Sequence, residues 1–292
     1  MKNISYIIKS HMPHSLYSLY IKIVYKRKIG KKCNLRNPQA YTEKIQWSKL
    51  YRTNDLITQL SDKIAVRKWV KSRIGSEYLI PCIGGIYKSA DEIDFDSLPD
   101  SFVIKANHGS GFIIIVNNKC EADFDYIRKK IKGWMKTNYA FVSMETQYKS
   151  IRPLIYIEKN LLSGSREDLP DYKFFCFNGK VFCSYTMIDY AMNHSSGKIG
   201  FFDRDYVLMP YHRKDYEPIT EQLKKPKNYE LMVEIAEKLS RGFSHVRVDL
   251  YNVDGKIYFG EMTFTNASGL CQFEPEKFDR ILGEQWDLDS GI

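Results

Sequence analysis

Apolar and polar positions follow two different periods along the chain. Apolar residues at helical spacing predict helices over 61–70, 123–135 and 230–239. Short apolar runs predict strands over 101–107, 112–116 and 153–158. Ser61 or Asp62 is the expected N-cap of the first helix. Two hairpins are expected, turning at Asn178-Gly179 and Asp254-Gly255, so the predicted class is α+β.

The composition is typical of a globular protein with two or three subdomains, at 292 residues, 43% hydrophobic and 27% charged. No apolar run reaches the roughly eighteen residues of a membrane span, and no signal-peptide cleavage site follows the N-terminal apolar patch. We therefore expect a cytoplasmic protein. The six cysteines form no CxxC pair or ligand cluster, which predicts reduced and mostly buried thiols.

The net charge of +9 is unevenly distributed. A basic cluster near the start contains Lys22, Lys26, Arg27, Lys28, Lys31 and Lys32, whereas acidic residues crowd the last twenty positions. The cluster predicts an anionic partner, for which an acidic polysaccharide and an anionic membrane surface both qualify. Nucleic acid is not expected, because no zinc-finger spacing or RNP-type motif is present. Residues 4–25 fit either a helix packed on the core or an interfacial amphipathic segment.

The hairpin around Asp254-Gly255 carries one carboxylate on each arm. Counting back from the turn places Asp249 and Glu261 near the same end of the ribbon. Mg²⁺ prefers one or two carboxylates, with water and phosphate oxygens in its remaining positions. The pair therefore predicts a magnesium site, and a surface hairpin with two solvated acids is the alternative.

Lys105 lies in an otherwise apolar strand that leads into a glycine-rich turn. A buried ammonium group needs an anion or a route to solvent. The turn Gly109-Ser110-Gly111 can present backbone N–H groups to phosphate oxygens, although most such turns are ordinary hairpin loops. The P-loop and dinucleotide-binding motifs are both absent from the sequence.

Taken in order, five segments resemble the ATP-grasp superfamily and its TupA-like branch, found in bacterial teichuronopeptide, capsule and O-antigen biosynthesis. They are SDKIAVRKWV, FVIKANHGSG, YIEKNL, PDYKFFCFNGK and RVDLYNVDGKIYFGEMTF. The resemblance covers residues 33–285 and implies an ATP-grasp fold, with two α+β subdomains that clasp ATP. It implies a basic, mostly helical segment at 1–60, a pre-grasp region at 61–100, a small lid subdomain at 101–160, and a C-terminal subdomain with the metal site at 161–292.

The resemblance also implies roles for individual residues that bind the nucleotide. Lys105 matches the lysine that touches the α- and β-phosphates, and the loop Gly109, Ser110 and Gly111 matches the segment that closes over the triphosphate. Glu158 and Lys159 match the strand that binds adenine and ribose. Lys173 matches a second lysine on the phosphate side.

Further implied residues hold the metal and act in catalysis. Asp249 and Glu261 match the Mg²⁺ carboxylates, and Arg247 matches an arginine facing the reacting carbonyl. The family commonly has Glu-x-Asn at the metal glutamate, whereas this chain has Glu261-Met262-Thr263, so Thr263 or Asn266 is expected to complete the metal shell. His108 is the candidate proton acceptor, with a bystander role as the alternative.

The implied function is an ATP-dependent carboxylate–amine ligase that forms an amide through an acylphosphate, with ATP and Mg²⁺ as cofactors. We expect a uronic-acid-containing glycan, or its precursor, as one substrate and an amino acid or small amine as the other. Two alternatives stay open at this stage. Four DxD motifs allow a glycosyltransferase, although we expect them in polar or helical contexts. The basic N-terminus allows a non-catalytic nucleotide-binding scaffold at the inner membrane face.

Overall fold

The computed structural model describes residues 4–162, 168–189 and 197–291. It forms two compact units. One comprises Asn54–Arg166, and the other combines Met1–Thr53 with Glu167–Ile292. The predicted segments 61–100 and 101–160 thus share one unit, while most of 1–60 joins the C-terminal part. Positions 1–3, 163–167, 190–196 and 292, within the predicted segments 1–60 and 161–292, lie outside the described residues.

Helices and strands are mixed throughout the described ranges, which confirms the α+β class. The helices are α1 (Ile4–His11), α2 (Tyr17–Ile29), α3 (Tyr41–Tyr51), α4 (Asp55–Ser61), α5 (Val66–Ile74), α6 (Phe124–Met135), α7 (Ala140–Ser143), α8 (Tyr229–Ser240) and α9 (Lys277–Gln285). The strands are β1 (Cys82–Tyr87), β2 (Phe102–Ala106), β3 (Ile113–Val116), β4 (Ile155–Lys159), β5 (Asp171–Phe177), β6 (Lys180–Ile188), β7 (Lys198–Asp203), β8 (His212–Arg213), β9 (Glu217–Pro218), β10 (His245–Val253), β11 (Lys256–Thr263) and β12 (Phe273–Glu274).

The unit Asn54–Arg166 is built on an antiparallel sheet with strand order β1-β4-β2-β3. Helix α6 buries Ile127, Ile131 and Trp134, the face that its periodicity predicts. These side chains join the core formed by the apolar face of β2 and β4. The strand β2 that carries Lys105 is therefore held rigidly by packing on its opposite face.

The other unit is built on a six-stranded sheet with order β11-β10-β5-β6-β7-β9. One face packs against Tyr41 and Ile45 of α3 and Phe278 and Leu282 of α9 in a single aromatic-rich core. Helix α8 contacts β5, β6 and β10. Both predicted hairpins are present as β5-β6 and β10-β11, and they lie next to each other in the sheet.

One sequence prediction is wrong in its boundary. The helix expected over 61–70 begins at Val66, because Ser61 ends α4 and residues 62–65 form a turn. Asp62 stabilises that turn by accepting the N–H groups of Ile64 at 2.8 Å and Ala65 at 3.1 Å. Asp62, expected as the helix N-cap, therefore stabilises a separate turn that precedes α5.

The thiols largely follow the prediction. Cys33, Cys176, Cys183 and Cys271 are buried, Cys82 and Cys120 are exposed, and all six are free. Burial raises the pKa of the Cys33 thiol to about 12, so the neutral form is retained there. Within the described residues, no helix is both long and apolar enough to cross a bilayer.

Candidate active site

Four predicted site residues lie in neighbouring positions on one face of the six-stranded sheet. Asp249 on β10 lies directly opposite Glu261 on β11 and opposite Lys173 on β5. Arg247 precedes Asp249 by two residues and therefore points to the same face. The chain thus brings Lys173, Arg247, Asp249 and Glu261 together from three strands.

The pairing of Asp249 with Glu261 depends on a β-bulge. Regular counting from the Asp254-Gly255 turn would place Asp249 opposite Gly260, but the register shifts between Asp249 and Leu250. The extra residue turns Glu261 to the face of Asp249. A Cβ atom at Gly260 would lie 3.0 Å from the Asp249 carbonyl oxygen, so the close strand approach favours glycine.

Both carboxylate oxygens of Asp249 accept hydrogen bonds from cationic side chains. Arg247 donates from Nε to Oδ1 and from a terminal nitrogen to Oδ2, each at 2.7 Å. Lys173 Nζ donates to Oδ2 at 2.7 Å. Because the Asp249 side chain is only 2% exposed, its charge is balanced by these partners rather than by solvent.

Lys173 lies between two carboxylates. Its ammonium pairs with Asp171 as well as Asp249. Burial alone would lower the pKa of Lys173, but Asp171 and Asp249 raise it well above the ordinary value, so the side chain stays charged. Burial raises the pKa of Asp171, against the opposing effect of Lys173, and its Oδ1 has no hydrogen-bond partner among the described residues.

Arg247 connects the carboxylates to the segment after β11. It donates to Asn266 Oδ1, to Thr263 Oγ1 at 3.1 Å and to Glu261 Oε1 at 3.4 Å. Thr263 in turn donates to Glu261 at 3.2 Å. Both residues expected to complete the metal shell thus lie beside Arg247, and the buried Asn266 Nδ2 has no partner in the described part of the chain.

The chemistry of these donors fits Mg²⁺. Asp249, Glu261 and Asn266 offer hard carboxylate and amide oxygens, and the Glu261 side chain is 31% exposed, which leaves an approach for a hydrated cation. The described ranges contain no group of three or more His, Cys, Asp or Glu residues that could hold a metal. The set therefore suits an ion that keeps water and phosphate ligands.

The other unit contains a second charged group, centred on Glu158. Lys105 Nζ donates to Glu158 at 2.7 Å, and Arg67 donates to the second oxygen of the same carboxylate at 3.0 Å. Arg67 is fixed further by a bond to the Ile80 carbonyl at 2.8 Å. The anion that pairs with Lys105 inside the protein is thus the Glu158 carboxylate. Two cations share this one carboxylate, so the group has a net positive charge that suits a phosphate.

Glu158 and Lys159 point to opposite faces of the sheet, because successive strand residues alternate. Glu158 is 4% exposed within the ion pairs, whereas Lys159 is exposed. Glu158 therefore shares a face with Lys105, and the adenine- and ribose-binding roles of Glu158 and Lys159 stay predictions.

The glycine loop joins β2 to β3. Gly111 has φ +72, a conformation that glycine adopts readily, and a Cβ there would meet open space. A Cβ at Gly109 would lie 2.6 Å from the Tyr139 ring, so packing explains this glycine. Ser110 is exposed at the loop tip.

His108 is 1% exposed, and its Nε2 lies 3.1 Å from the Trp134 carbonyl. Burial lowers the pKa of His108, so the imidazole is neutral near pH 7. Its ring packs 5.3 Å from that of Phe112. These contacts favour an anchoring role for the loop, and the proton-acceptor role stays a prediction.

Sequence reasoning assigned no role to three residues in these groups. Asp171 could have been found, because it precedes Lys173 by two positions on one strand. Tyr185 accepts a hydrogen bond from Arg247 at 3.3 Å. The sequence gives no signal for it, because only a bulge in β5 shifts it opposite Lys173. Arg67 lies in SDKIAVRKWV, but only the fold brings it to Glu158.

One DxD motif does follow a buried strand, contrary to the prediction. Asp203 ends β7, whose residues Ile199–Phe202 are buried. Its Oδ1 accepts the N–H groups of Asp205 and Val207, each at 2.9 Å. That carboxylate oxygen closes the turn after the strand, which explains the acid without a metal.

A family model described as TupA-like ATPgrasp matches residues 43–287. No curated protein matches the sequence significantly. Solved structures that resemble the chain include D-alanine–D-alanine ligase from Bacillus anthracis with ATP, at 15% identity and a TM-score of 0.37, over 70% of this chain and 54% of that one. L-amino acid ligase from Bacillus licheniformis matches at 12% identity and 0.42, over 88% and 58%.

A third similar structure is the ATP-grasp ligase PsnB with minimal precursor, Mg and ADP, at 12% identity and a TM-score of 0.37, over 76% of this chain and 57% of that one. The chain thus spans between 54% and 58% of these three proteins.

Proposed function

The chain belongs to the TupA-like ATP-grasp family, and from this premise we propose that it is an ATP-dependent carboxylate–amine ligase. Its fold is the ATP-grasp fold, and its cofactors are ATP and Mg²⁺. We assign the lid role to residues 101–160 and the metal-binding role to the subdomain at 161–292. We also propose that the reaction takes place in the cytoplasm.

One observation carries this proposal. Asp249 and Glu261 lie directly opposite each other on adjacent strands, with Lys173 and Arg247 on the same face. A pair of carboxylates next to two fixed cations suits a magnesium-bound polyphosphate, because the cations offset phosphate charge and the carboxylates hold the metal. A solvated surface hairpin would not bury Asp249 in paired contacts.

The proposed chemistry has two steps. A carboxylate oxygen of the substrate attacks the γ-phosphorus of ATP, and the bond from that phosphorus to the bridging oxygen breaks. ADP leaves with the electron pair of that bond, and an acylphosphate is formed. The amine nitrogen then attacks the acyl carbon, the carbon–oxygen bond breaks, and inorganic phosphate leaves with the electron pair. The nitrogen loses one proton, and the product is an amide.

The protein's contribution is to position groups and neutralise charge. Bound Mg²⁺ would be held by Asp249 and Glu261 and would offset the phosphate charge. Lys173, kept protonated by Asp171, supplies a second positive charge on the same face. Arg247 is held in one orientation by Asp249. We assign it the role of stabilising the oxyanion that develops on the acyl group, a contribution typically worth about 10²–10³ in turnover.

For the substrates, we propose a uronic acid of a bacterial surface polysaccharide, such as capsule or O-antigen, or its precursor, together with an amino acid or small amine. Lys173 and Arg247, two cations on one face of the sheet, support an acidic substrate, since cationic sites attract anionic ligands from solution. A uronic acid also supplies the carboxylate that the first step consumes.

The test is an incubation of the full chain with Mg-ATP and a panel of uronic acids and amino acids. We expect release of ADP and phosphate only when both substrates are present, with a product mass equal to their sum less one water. Release of a nucleoside diphosphate from a sugar nucleotide would overturn the proposal in favour of glycosyl transfer. ATP binding without turnover across the panel would overturn it in favour of a scaffold.

A further inference from the structure

We propose that the N-terminal helices dock peripherally on an anionic lipid surface. The proposal concerns an N-terminal surface formed by the exposed apolar side chains of α1 and α2 with the adjoining basic cluster. The apolar members are Ile4, Ile7, Ile8, Leu16, Leu19 and Ile23. The test below measures vesicle binding without substrates, so its outcome is separate from that of the ligase test.

The first observation is that this part of the chain accounts for the entire net charge. Residues 1–42 contain nine Lys and Arg and no Asp or Glu. The remaining 250 residues therefore contain 35 basic and 35 acidic side chains and are neutral overall. The charged segment also precedes position 43, where the family match begins, so the shared fold does not explain it.

The second observation is the exposure of large apolar side chains. Within the described ranges, eleven such side chains are exposed, and six of them lie between Ile4 and Ile23. Their exposure runs from 46% to 75%. A concentration of this kind in about twenty residues differs from the scattered exposed leucines of ordinary surfaces and indicates an interaction site.

The geometry of α2 separates an inward from an outward face. Tyr17, Ile21 and Tyr25 are four residues apart and buried, which fixes one side of the helix on the protein. Leu19 and Ile23 are also four apart, and they lie on the exposed side. Helix α2 is therefore fixed to the protein by its buried face, and it exposes Leu19 and Ile23 to solvent on the opposite face.

Basic side chains share that outward face. Lys22 and Lys26 follow Leu19 by three and seven residues, so they lie beside Ile23, and both are exposed. The last turn of α2 adds Arg27 and Lys28. Apolar residues flanked by lysine and arginine are the pattern of helices that lie in a membrane interface, where the cations meet anionic headgroups and the apolar side chains enter the acyl boundary.

This combination favours a lipid surface over the other anionic partners. A nucleic acid would engage the cations through phosphate but would leave the isoleucine and leucine side chains in water. A second copy of the chain would cover the apolar side chains but would bring two basic clusters of like charge together. An anionic bilayer satisfies both features at once.

The experiment measures sedimentation of the full chain with vesicles of phosphatidylcholine alone and with vesicles that also contain phosphatidylglycerol. We expect binding to the anionic vesicles that weakens as salt is raised, because headgroup attraction is screened. Binding to neutral vesicles should be weaker by on the order of tenfold or more.

Two double variants separate the contributions. Leu19→Ser with Ile23→Ser should weaken anionic-vesicle binding by on the order of tenfold, because apolar insertion is lost. Lys26→Glu with Arg27→Glu should weaken it by a similar factor and flatten its salt dependence. The matched control is Val207→Ser, because Val207 is 56% exposed in the same unit but outside the surface. Its vesicle binding should equal that of wild type.

Thermal unfolding of each variant verifies that the fold is intact. Several outcomes would overturn the proposal. One is a loss of vesicle binding in Val207→Ser as large as that in the two double variants. The others are equal affinity of the wild type for neutral and anionic vesicles, and no binding of the wild type to either. Retention of an RNA oligonucleotide or a self-associated dimer, without vesicle binding, would overturn it in favour of that partner.

Discussion

Asp249 lies directly opposite Glu261 across β10 and β11 only because one extra residue is inserted at the bulge beside Gly260. Without the bulge, period-two alternation would turn the two carboxylates to opposite faces of the sheet. The metal-binding capacity of the hairpin is therefore set by a backbone irregularity that aligns two side chains.

Gly260→Val should destabilise the protein and remove turnover together. Its Cβ would lie 3.0 Å from the Asp249 carbonyl oxygen, so the strands must separate or change register. We expect a loss of about 1–3 kcal/mol in the free energy of unfolding. Urea unfolding and Mg-dependent ADP release measure the two effects.

The control for this substitution is Gly133→Ala in α6, where an added Cβ would meet nothing within 4 Å. Alanine in a helix should stabilise by about 0.5–1 kcal/mol and leave turnover unchanged. Wild-type turnover in Gly260→Val would show that the bulge is not needed to align the carboxylates.

Asp249→Asn should abolish turnover and also lower stability. Lys173 and Arg247 both depend on this carboxylate, and removing its charge leaves two buried cations without their shared partner. We expect a loss of about 3–5 kcal/mol in the free energy of unfolding. Chemical denaturation and single-turnover ADP formation are the measurements.

Glu261→Gln is the matched comparison, because Glu261 is the more exposed carboxylate and contacts Arg247 at a longer distance. Its turnover should fall as steeply, whereas its stability should change by under about 1 kcal/mol. If Asp249→Asn retained turnover, Asp249 would not hold the metal.

Much of this site could be predicted from the sequence because local signals determine it. The Asp254-Gly255 turn and the alternation along β10 place Arg247 and Asp249 on one face. The single lysine in the apolar strand β2, Lys105, predicts a nearby anion. The bulges could not be predicted, because register shifts depend on how neighbouring strands pack. Strand counting alone therefore misplaces Tyr185 and cannot place Glu261 on the correct face.

Contacts between residues that are far apart in the chain could not be predicted from the sequence either. Arg67 precedes Glu158 by 91 positions, and only the fold brings its guanidinium to that carboxylate. The same limit applies to the start of α5, since the turn that Asp62 closes is indistinguishable from a first helical turn by apolar spacing. Local capping chemistry was predicted, but its position relative to the helix was not.

Lys105→Ala should weaken ATP binding by on the order of 10- to 100-fold, the effect of one charge-assisted phosphate contact. Stability should fall only modestly, because Arg67 still pairs with Glu158 at 3.0 Å. Calorimetric titration with a non-hydrolysable ATP analogue measures the affinity. Lys129→Ala serves as the control, since Lys129 is exposed on α6 of the same unit and has no assigned role, and its affinity should stay within about threefold of wild type.

If both lysine variants lost affinity equally, a general loss of positive charge would explain the result, and Lys105 would have no specific role. Unchanged binding in Lys105→Ala would remove this residue from the nucleotide site.

The pH dependence of stability should contain a component from Asp279, which receives hydrogen bonds from the backbone N–H of Thr42 at 2.9 Å and from its hydroxyl at 2.6 Å. Burial raises the pKa of Asp279 from 3.8 to about 6. Between pH 3.8 and about pH 6, the Asp279 carboxyl therefore stays protonated in the folded state but is ionised in the unfolded state. This contribution is fully present below pH 4 and is lost as the pH rises to 6.

The predicted loss is at most about 3 kcal/mol between pH 4 and pH 7. His245 acts in the opposite direction, because burial lowers its pKa to about 3 and the folded state resists its protonation as the pH falls. The measurement is therefore the difference in urea unfolding free energy between wild type and Asp279→Asn, which cannot titrate. Wild type should lose stability relative to the variant as the pH rises through 5, and a constant difference across this window would show that Asp279 does not titrate there.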